Sequence, residues 1–129
     1  PNGNSVYIYI CNQSNTITNE RRWFEKTEVL KKSFHQTINS FYSQMFSFIK
    51  ALDICENSVS FTFYGNINSI KNIQKFLQNK FIGRSTFIYK KNINQEGSVV
   101  ICKNQTCSKK ISDINEIEKF LKEIKIIHD

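Results

Sequence analysis

The chain has 129 residues, of which 40% are hydrophobic and 13% aromatic, so its length and apolar content suffice for a compact, cored structure. Its single Pro and four Gly exclude long structureless linkers, and no apolar run is long enough to cross a bilayer. The formal net charge is +7, from eighteen basic and eleven acidic residues, a balance typical of proteins with nucleic-acid or anionic-membrane partners.

The kind of basic residue argues against a nucleic-acid partner. Only Arg21, Arg22 and Arg84 carry the guanidinium group that bidentate phosphate and base recognition favours, and the other basic residues are Lys. Lys, Asn and Ile share AT-rich codons, so a biased genome produces this composition without a selected partner. The chain begins at Pro1 rather than Met, and we therefore expect it to be processed or cut from a longer protein.

Residues 1–56 are predicted to be helical. The segment Val6–Cys11 is ambiguous, because its Val, Ile and Tyr residues favour a strand, whereas Asn4 or Ser5 is a suitable helix cap. The next helix is predicted to start at a Thr18 cap and to reach about Ser33. Its apolar stripe has spacings of four, three and four and comprises Trp23, Thr27, Leu30 and Phe34.

A second clear helix is predicted over about Ile38–Leu52, with apolar residues on most of its surface. A helix that is hydrophobic on most sides is buried on most sides, so this segment indicates more neighbours than the chain provides. If those neighbours are absent, we expect an exposed apolar face along Phe41–Leu52 and association with another chain or with a second copy.

From residue 57 the pattern becomes mixed α/β. Strands are predicted at Ser58–Gly65, Ser85–Tyr89 and Ser98–Cys102, and helices at about Ile67–Asn79 and Ile114–Ile127, the latter with an Asp113 cap. A right-handed crossover through the first of these helices makes the first two strands parallel. The short connection Lys90–Gly97 predicts that the second and third strands are antiparallel neighbours.

These segments together resemble, in order, the C-terminal part of YyaL-type thioredoxin domain-containing proteins, whose vertebrate relatives are called spermatogenesis-associated proteins. The matching motifs are Pro1-Asn2-Gly3-Asn4-Ser5, Glu20-Arg21-Arg22-Trp23, Ala51-Leu52-Asp53, the strand Ser58–Gly65, Ile101-Cys102-Lys103-Asn104-Gln105-Thr106-Cys107 and Ser112-Asp113. The sequence departs from that family in lacking a Pro shortly after Cys107 and in its short connection Lys90–Gly97. The family's thioredoxin-like domain and most of its six-hairpin α/α barrel are also missing here.

The resemblance implies the fold and the domain organisation. We expect an α+β fold of order α-α-α-β-α-β-β-α, with barrel-type α-hairpin helices followed by a small mixed sheet and two packed helices. Residues 1–56 would be a remnant of the six-hairpin barrel, and residues 57–129 a small α/β subdomain. The resemblance also makes Val6–Cys11 a helix, against its local propensity.

Two groups of residues are candidate sites. In the resembling proteins the motif containing Gly3, Asn4 and Ser5 faces the barrel cavity at a helix start, where free N–H groups bind substrate oxygens; the alternative is a plain helix cap. Cys102 and Cys107 form a C-x4-C pair, either as structural thiols flanking a turn or as a reversible disulfide.

No metal, cofactor or catalytic residue is predicted. Structural zinc requires four ligands, while Cys11 and Cys55 are isolated and His35 and His128 lie outside ligand spacing. Glycoside hydrolysis requires two carboxylates across one bond, and no such pair can be assigned. The acidic residues considered lie near the ends of predicted elements, where capping or solvation explains them: Asp53, Glu56 and Asp113.

The sequence therefore predicts a fragment with a structural or interaction role and no independent catalysis. Its partner would be the missing upstream barrel or a second copy, bound through the apolar helices. No membrane partner is predicted. One alternative is a segment of a carbohydrate-active enzyme completed by upstream sequence, by fold analogy alone. Another is a basic nucleic-acid-binding module. Cysteine usage without a visible signal peptide predicts a cytoplasmic protein with reduced thiols.

Overall fold

The computed structural model describes residues 3–80, 82–91, 96–103 and 106–126. The chain divides into two compact units, residues 1–57 (unit 1) and residues 58–129 (unit 2). The elements in chain order are α1 (Gly3–Thr18), α2 (Arg21–Ser40), a 3-10 turn (Tyr42–Gln44), α3 (Phe46–Asn57), β1 (Val59–Gly65), α4 (Ile67–Asn79), β2 (Ser85–Lys91), β3 (Ser98–Lys103), β4 (Thr106–Cys107) and α5 (Ile114–Glu123). The predicted α+β class and the order of its elements are confirmed, with the two-residue β4 as an addition.

Unit 1 is a small cluster of three helices around one apolar core. The buried residues of this core cluster are Ile8, Met45, Phe48 and Ala51. The ring of Phe34 on α2 packs against that of Phe48 on α3, with 4.9 Å between the centroids. The strand-favouring segment Val6–Cys11 lies in α1, because helical geometry puts Ile8 and Cys11 on one side, where both are fully buried.

Two helix boundaries in unit 1 differ from the prediction. Thr18 is the last residue of α1 and not the cap of α2; its hydroxyl accepts a hydrogen bond from the Glu20 N–H at 3.3 Å. The following helix runs to Ser40, seven residues beyond the predicted end at Ser33. The sequence between Gly3 and Gly65 contains neither Gly nor Pro; α1 is instead terminated by Asn19, which follows Thr18 with a left-handed φ of 57°.

The single helix predicted over Ile38–Leu52 is wrong, because the chain breaks at Phe41. Phe41 has φ −131° and ψ 42°, outside the helical region, and a 3-10 turn separates α2 from α3. The break starts a new helix axis, on which Phe48 is fully buried, and Met45, just before that helix, is 9% exposed. The chain therefore turns here without a helix-breaking residue, driven by the packing of these apolar side chains.

Unit 2 is a four-stranded mixed sheet with strand order β2-β1-β3-β4 and two helices. The buried residues of α4 and α5 form one cluster with Val59, Phe61 and Phe63 of β1, so the core lies on one face of the sheet. The predicted parallel pairing of the first two strands is confirmed, with Phe61 opposite Phe87 and Phe63 opposite Tyr89.

The prediction that the second and third strands are neighbours is wrong. The first strand lies between them, and its partner on the other side is the antiparallel β3. The three core side chains of β1 are each at most 1% exposed, a burial that requires a covering strand on both edges. The short connection thus links β2 and β3, which lie on opposite sides of β1. Residues 92–95 of this connection lie outside the described part.

Asx caps fix the starts of both helices of unit 2. The side chain of Asn66 accepts a hydrogen bond from the Ser69 N–H, and Asp113 accepts from the N–H groups of Asn115 and Glu116. The predicted Asp113 cap is therefore confirmed. The last helix ends at Glu123, so the predicted end at about Ile127 is wrong: Ile124 is the C-cap, and Lys125 has a left-handed φ of 53°.

Two glycines allow the backbone geometry around the start of α4. Gly65 ends β1 with φ 127°, a conformation that side chains of other residues disfavour. A Cβ at Gly97 would overlap the backbone carbonyl of Ser69 and crowd the N–H of Ile70, so the chain before β3 passes directly against the first turn of α4. Among the described residues, no helix is long and apolar enough to cross a membrane.

The substitution Gly97→Ala is expected to lower the free energy of unfolding of unit 2 by about 1–3 kcal/mol, since an overpacked methyl group has to displace backbone. Urea denaturation followed by the NMR signals of β1 measures this effect. Gly83→Ala is the matched control, because a Cβ there meets no atom within 4 Å. Equal stability of the two variants would show that the close approach at Gly97 is not a constraint.

Candidate functional site

The proposed substrate-binding motif lies in the first turn of α1. Because the helix begins at Gly3, Asn4 and Ser5 are helical residues, and the prediction that either is the cap is wrong. Asn4 is exposed, whereas Ser5 is 5% exposed on the same side as Ile8. Ser5 therefore packs inside unit 1, and only Gly3 and Asn4 face outward. Pro1 and Asn2 of the same motif lie outside the described residues.

The two cysteines of the C-x4-C pair form a disulfide. Cys102 on β3 and Cys107 on β4 are directly opposite each other in the antiparallel ladder, with 4.1 Å between their Cα atoms. Of the two interpretations of this pair, structural thiols or a disulfide, the structure has the disulfide. The spacing predicted that the thiols are close; it did not determine their oxidation state. The intervening Asn104 and Gln105 lie outside the described residues.

The other two cysteines are free thiols in unit 1. Cys11 is fully buried and Cys55 is partly buried. Burial raises the pKa of the Cys55 thiol from its ordinary value of 9.0 to about 11, although the nearby Lys31 acts in the opposite direction. A thiol with so high a pKa is neutral at physiological pH and is a poor nucleophile.

The acidic residues considered in the sequence each have a structural partner. Asp53 accepts a hydrogen bond from the side-chain amide of Asn57 at 2.7 Å, and Glu56 lies 3.6 Å from the ammonium group of Lys31. Asp113 is the cap of α5. These contacts account for the three carboxylates as groups that stabilise helix ends. None of the contacts pairs one of these carboxylates with a second catalytic group.

The histidines provide no metal site in the described residues. His35 is exposed on α2, and His128 lies outside the described part of the chain. Within the described ranges, no three His, Cys, Asp or Glu side chains are close enough to hold a metal ion.

Unit 2 contains a cavity of about 580 Å³ between α4 and the edge strand β2. We call this cavity the α4–β2 groove. It is open at the carboxyl ends of the two parallel strands, a position where open α/β sheets commonly bind ligands. Its residues are Phe63, Gly65, Asn66, Ile67, Asn68, Ile70, Gln74, Tyr89 and Lys90.

The sequence analysis did not predict this groove. The Gly65-Asn66 segment lacks the glycine pattern of a phosphate-binding loop, so no short motif marks the groove. The sequence feature that bears on this groove is the alternation of aromatic residues on β1 and β2, the two strands joined by α4. That signal indicates a pocket only once the parallel register places Tyr89 beside Phe63, which the sequence alone does not determine.

Unit 1 exposes many apolar side chains. Of the fourteen large apolar residues that are exposed in the described part, ten belong to this unit. On α1, Val6, Ile10 and Ile17 are 46%, 51% and 59% exposed; we call these three the α1 stripe. Between α2 and α3 lies the α2–α3 corner, which comprises the exposed residues Phe41, Tyr42 and Phe46.

The expected apolar face along Phe41–Leu52 is therefore limited to its beginning. Phe48 and Ala51 are buried within unit 1, and Leu52 is partly buried. The second exposed apolar surface, the α1 stripe, lies on a helix for which the sequence analysis predicted no such face.

Comparisons with known proteins add no family assignment. No protein-family model matches the chain, and no curated protein matches it. The resemblance to YyaL-type proteins therefore stays a prediction that depends on the order and spacing of the motifs.

Reduction of the Cys102–Cys107 bond is expected to lower the free energy of unfolding of unit 2 by about 2 kcal/mol, since the bond closes a loop of five-residue separation. Denaturation with and without dithiothreitol, followed by the NMR signals of β1, measures the difference. The double variant Cys102→Ser/Cys107→Ser is the control and should not respond to the reductant. An equal response of both proteins would exclude this bond as the cause.

Iodoacetamide should alkylate Cys55 slowly in the folded chain at pH 8, because a pKa of about 11 leaves roughly one-hundredth of the thiolate that the ordinary value of 9.0 gives. Mass spectrometry of the labelled peptide measures the rate, and the urea-unfolded chain is the control. The raised pKa also predicts that unit 1 loses stability as the pH rises from 9 towards 11, because the folded state retains this proton. Equal rates in folded and unfolded chains would contradict the burial of this thiol.

Proposed function

We propose that the chain has a structural and interaction role, in which unit 1 docks onto further α-helices of a larger α/α assembly. The single observation that carries this proposal is that α1 is apolar on two opposite sides. One side belongs to the core of unit 1, and the other is the exposed α1 stripe. A surface helix of a self-contained domain has a polar outer side instead.

The two sides of α1 follow from its sequence. Ser5, Ile8 and Cys11 recur at a spacing of three and are buried. Val6, Ile10 and Ile17 recur at spacings of four and seven, which at 3.6 residues per turn puts them together on the other side. No charged residue occurs anywhere in α1, so this helix has no polar face of the kind that charges provide on α2.

The α2–α3 corner supports the same role. Phe41, Tyr42 and Phe46 are 54%, 64% and 68% exposed around the turn that ends α2. Exposed aromatic residues of this kind are enriched at the centres of protein interfaces. Unit 1 therefore offers two apolar surfaces for neighbours.

We propose helices of the same larger protein as the partner. The resemblance to YyaL-type proteins supports this choice, because in those proteins the matching helices close a six-hairpin barrel. The coding sequence before the codon for Pro1 is an independent test: it should encode further α-hairpins. If it encodes none, both the barrel partner and the alternative of a completed carbohydrate-active enzyme lose their support.

A nucleic-acid-binding role has less support. Twelve of the eighteen basic residues belong to unit 2, which has six acidic residues. The described lysines of unit 2 are distributed over α4, β2, β3, the segment before α5 and α5 itself, so no single helix or strand carries them as a stripe. A phosphate backbone requires a continuous basic track.

A cytoplasmic location remains part of this proposal. In a reducing compartment, the Cys102–Cys107 bond would be transient, which is the reversible disulfide considered for this pair. Acid trapping of thiols from the native cell should then find these two cysteines largely reduced. A fully oxidised pair would place the protein in an oxidising compartment instead.

The docking role predicts that the isolated 129-residue chain self-associates or binds the apolar dye ANS, since its own surface replaces the absent helices. The double variant Ile10→Glu/Ile17→Glu should clearly weaken both properties while keeping the helical circular dichroism, with the α2–α3 corner left as the remaining apolar surface. Light scattering after size exclusion measures the mass. The matched control is His35→Glu/Gln36→Glu, which adds the same charge to the exposed polar side of α2.

A monomeric wild-type chain that binds no ANS would contradict the docking role. An equal loss of association in the control variant would show that charge, and not the α1 stripe, determines association.

A further inference from the structure

The strand β2 forms a free edge of the sheet in unit 2. Its seven residues, Ser85–Lys91, pair with β1 on one side and have no strand on the other side among the described residues. Successive residues of a strand direct their N–H and C=O groups alternately to the two sides, so every second residue of β2 presents both groups at this edge. The strand at the opposite edge, β4, has two residues, so β2 is the longer edge for hydrogen bonding.

Two rows of aromatic rings run outwards from β1 and end at the edge of β2. The ring of Phe61 stacks on that of Phe87 with 5.3 Å between centroids, and the ring of Phe63 on that of Tyr89 with 5.1 Å. The inner ring of each row is at most 1% exposed, whereas Phe87 is 39% and Tyr89 is 53% exposed. A further strand beside β2 would place its own side chains next to these two rings and continue both rows.

The α4–β2 groove lies on this same face of the sheet, beside the row that ends at Tyr89. Its helical wall includes the buried Ile70 and also Ile67, which is 79% exposed, the largest exposure among the fourteen exposed apolar residues. When a peptide adds a strand to a sheet edge, main-chain hydrogen bonds provide affinity and pockets for alternate side chains provide specificity. The groove therefore favours an apolar side chain in the added strand at the position next to Tyr89.

The opposite face of β2 carries a positive charge near the same end. Lys90 is opposite Tyr64 in the register, and its Nζ lies 5.8 Å from the centre of the Tyr64 ring, so the ammonium group lies on the face away from the groove. Among the described ion pairs, Lys90 has no acidic partner. A residue directly across from Lys90 in an added strand lies on this face as well, where an acidic side chain pairs with it.

The net charge distinguishes between two kinds of added strand. Unit 2 has twelve basic and six acidic residues, so pairing of β2 with the same strand of a second copy would bring together two units that each carry a net charge of +6. Like charges repel at such an approach, whereas an acidic segment is attracted. The charge therefore favours an acidic partner over a second copy.

We propose that the free edge of β2 binds an extended, acidic peptide segment of a partner protein as a fifth, antiparallel strand. Apolar side chains of the segment pack next to Phe87 and Tyr89, the latter at the α4–β2 groove, and an acidic side chain on the other face pairs with Lys90. Antiparallel pairing is the more stable of the two directions. This site lies wholly within unit 2 and is independent of the docking role of unit 1.

The probe is the capped peptide Ser-Glu-Leu-Thr-Val-Thr-Ser, in which Glu, Leu and Val are expected opposite Lys90, Tyr89 and Phe87. It should slow hydrogen exchange at every second amide of β2 in the ¹⁵N-labelled full chain. One control peptide has Lys in place of Glu and should bind about two- to fivefold more weakly, the range that an exposed ion pair supplies.

A second control peptide carries N-methyl groups on the adjacent central Thr and Val, which keeps the side chains and removes two successive N–H groups. One of these two groups has to face β2, so this peptide should bind roughly tenfold more weakly. Equal affinity of the N-methylated peptide, or protection confined to unit 1, would overturn the proposal.

Two pairs of variants test the residues. Lys90→Glu should reverse the preference so that the Lys peptide binds more tightly than the Glu peptide, whereas Lys119→Glu at an exposed site on α5 should retain the original preference. Ile67→Glu should weaken both peptides roughly fivefold, because a charge replaces apolar surface at the groove, while Glu suits the first turn of a helix. Ile114→Glu is its matched control, since Ile114 has the same first position in α5.

A retained preference for the Glu peptide in Lys90→Glu would contradict the register, and unchanged binding in Ile67→Glu or an equal loss in Ile114→Glu would contradict the role of the groove. Protection of alternate β2 amides without peptide, in a dimer of the Ile10→Glu/Ile17→Glu variant, would identify a second copy as the occupant and overturn the proposal. That variant should bind the probe as the wild-type chain does, so failure of the docking role and failure of this site give different results.

Discussion

The burial of alternate residues on β1 is the constraint on which unit 2 depends. Val59, Phe61 and Phe63 are nearly inaccessible to solvent, and both helices and both neighbouring strands contribute to their cover. Because the strand must be covered on both edges, it occupies an inner position, and β2 is left at the edge of the sheet. The groove follows from this arrangement, since α4 packs over β1 and leaves the outer aromatic residues of β2 only partly covered.

Unit 1 has no central element that is covered on all sides as β1 is. Its core is formed by a few side chains of three helices, among them Ile8 and Phe48. The side of α1 away from that core is also apolar, and so is the α2–α3 corner. Burying an apolar side chain contributes roughly 1.5–3 kcal/mol, so the exposed residues represent stabilisation that further neighbours would supply. This difference between the units is the physical basis for the proposal that unit 1 docks onto further helices.

Local signals in the sequence predicted the elements of unit 2 well and those of unit 1 less well. The predicted bounds of α4, Ile67–Asn79, agree with the structure, in which Asn66 caps its start. The break at Phe41 has no such marker and is determined by packing between helices. The helical state of Val6–Cys11 likewise contradicts its propensity, because burial of Ile8 and Cys11 determines it.

The groove depends on long-range register, which a single sequence does not encode in any short motif. Only the parallel alignment of β1 with β2 makes Phe63 and Tyr89 adjacent. The disulfide is a similar case, since the spacing of Cys102 and Cys107 predicts proximity while the environment determines oxidation.

Native-state hydrogen exchange of the dilute, monomeric chain tests the central claim most directly, because it reports the opening free energy of each element. Slow exchange of β1 and α4, close to the limit of global unfolding, is expected for the self-contained unit 2. The amides of α1 should exchange much faster, as a helix with one unpartnered apolar side opens more readily. Equal protection of α1 and β1 in the monomer would contradict the account.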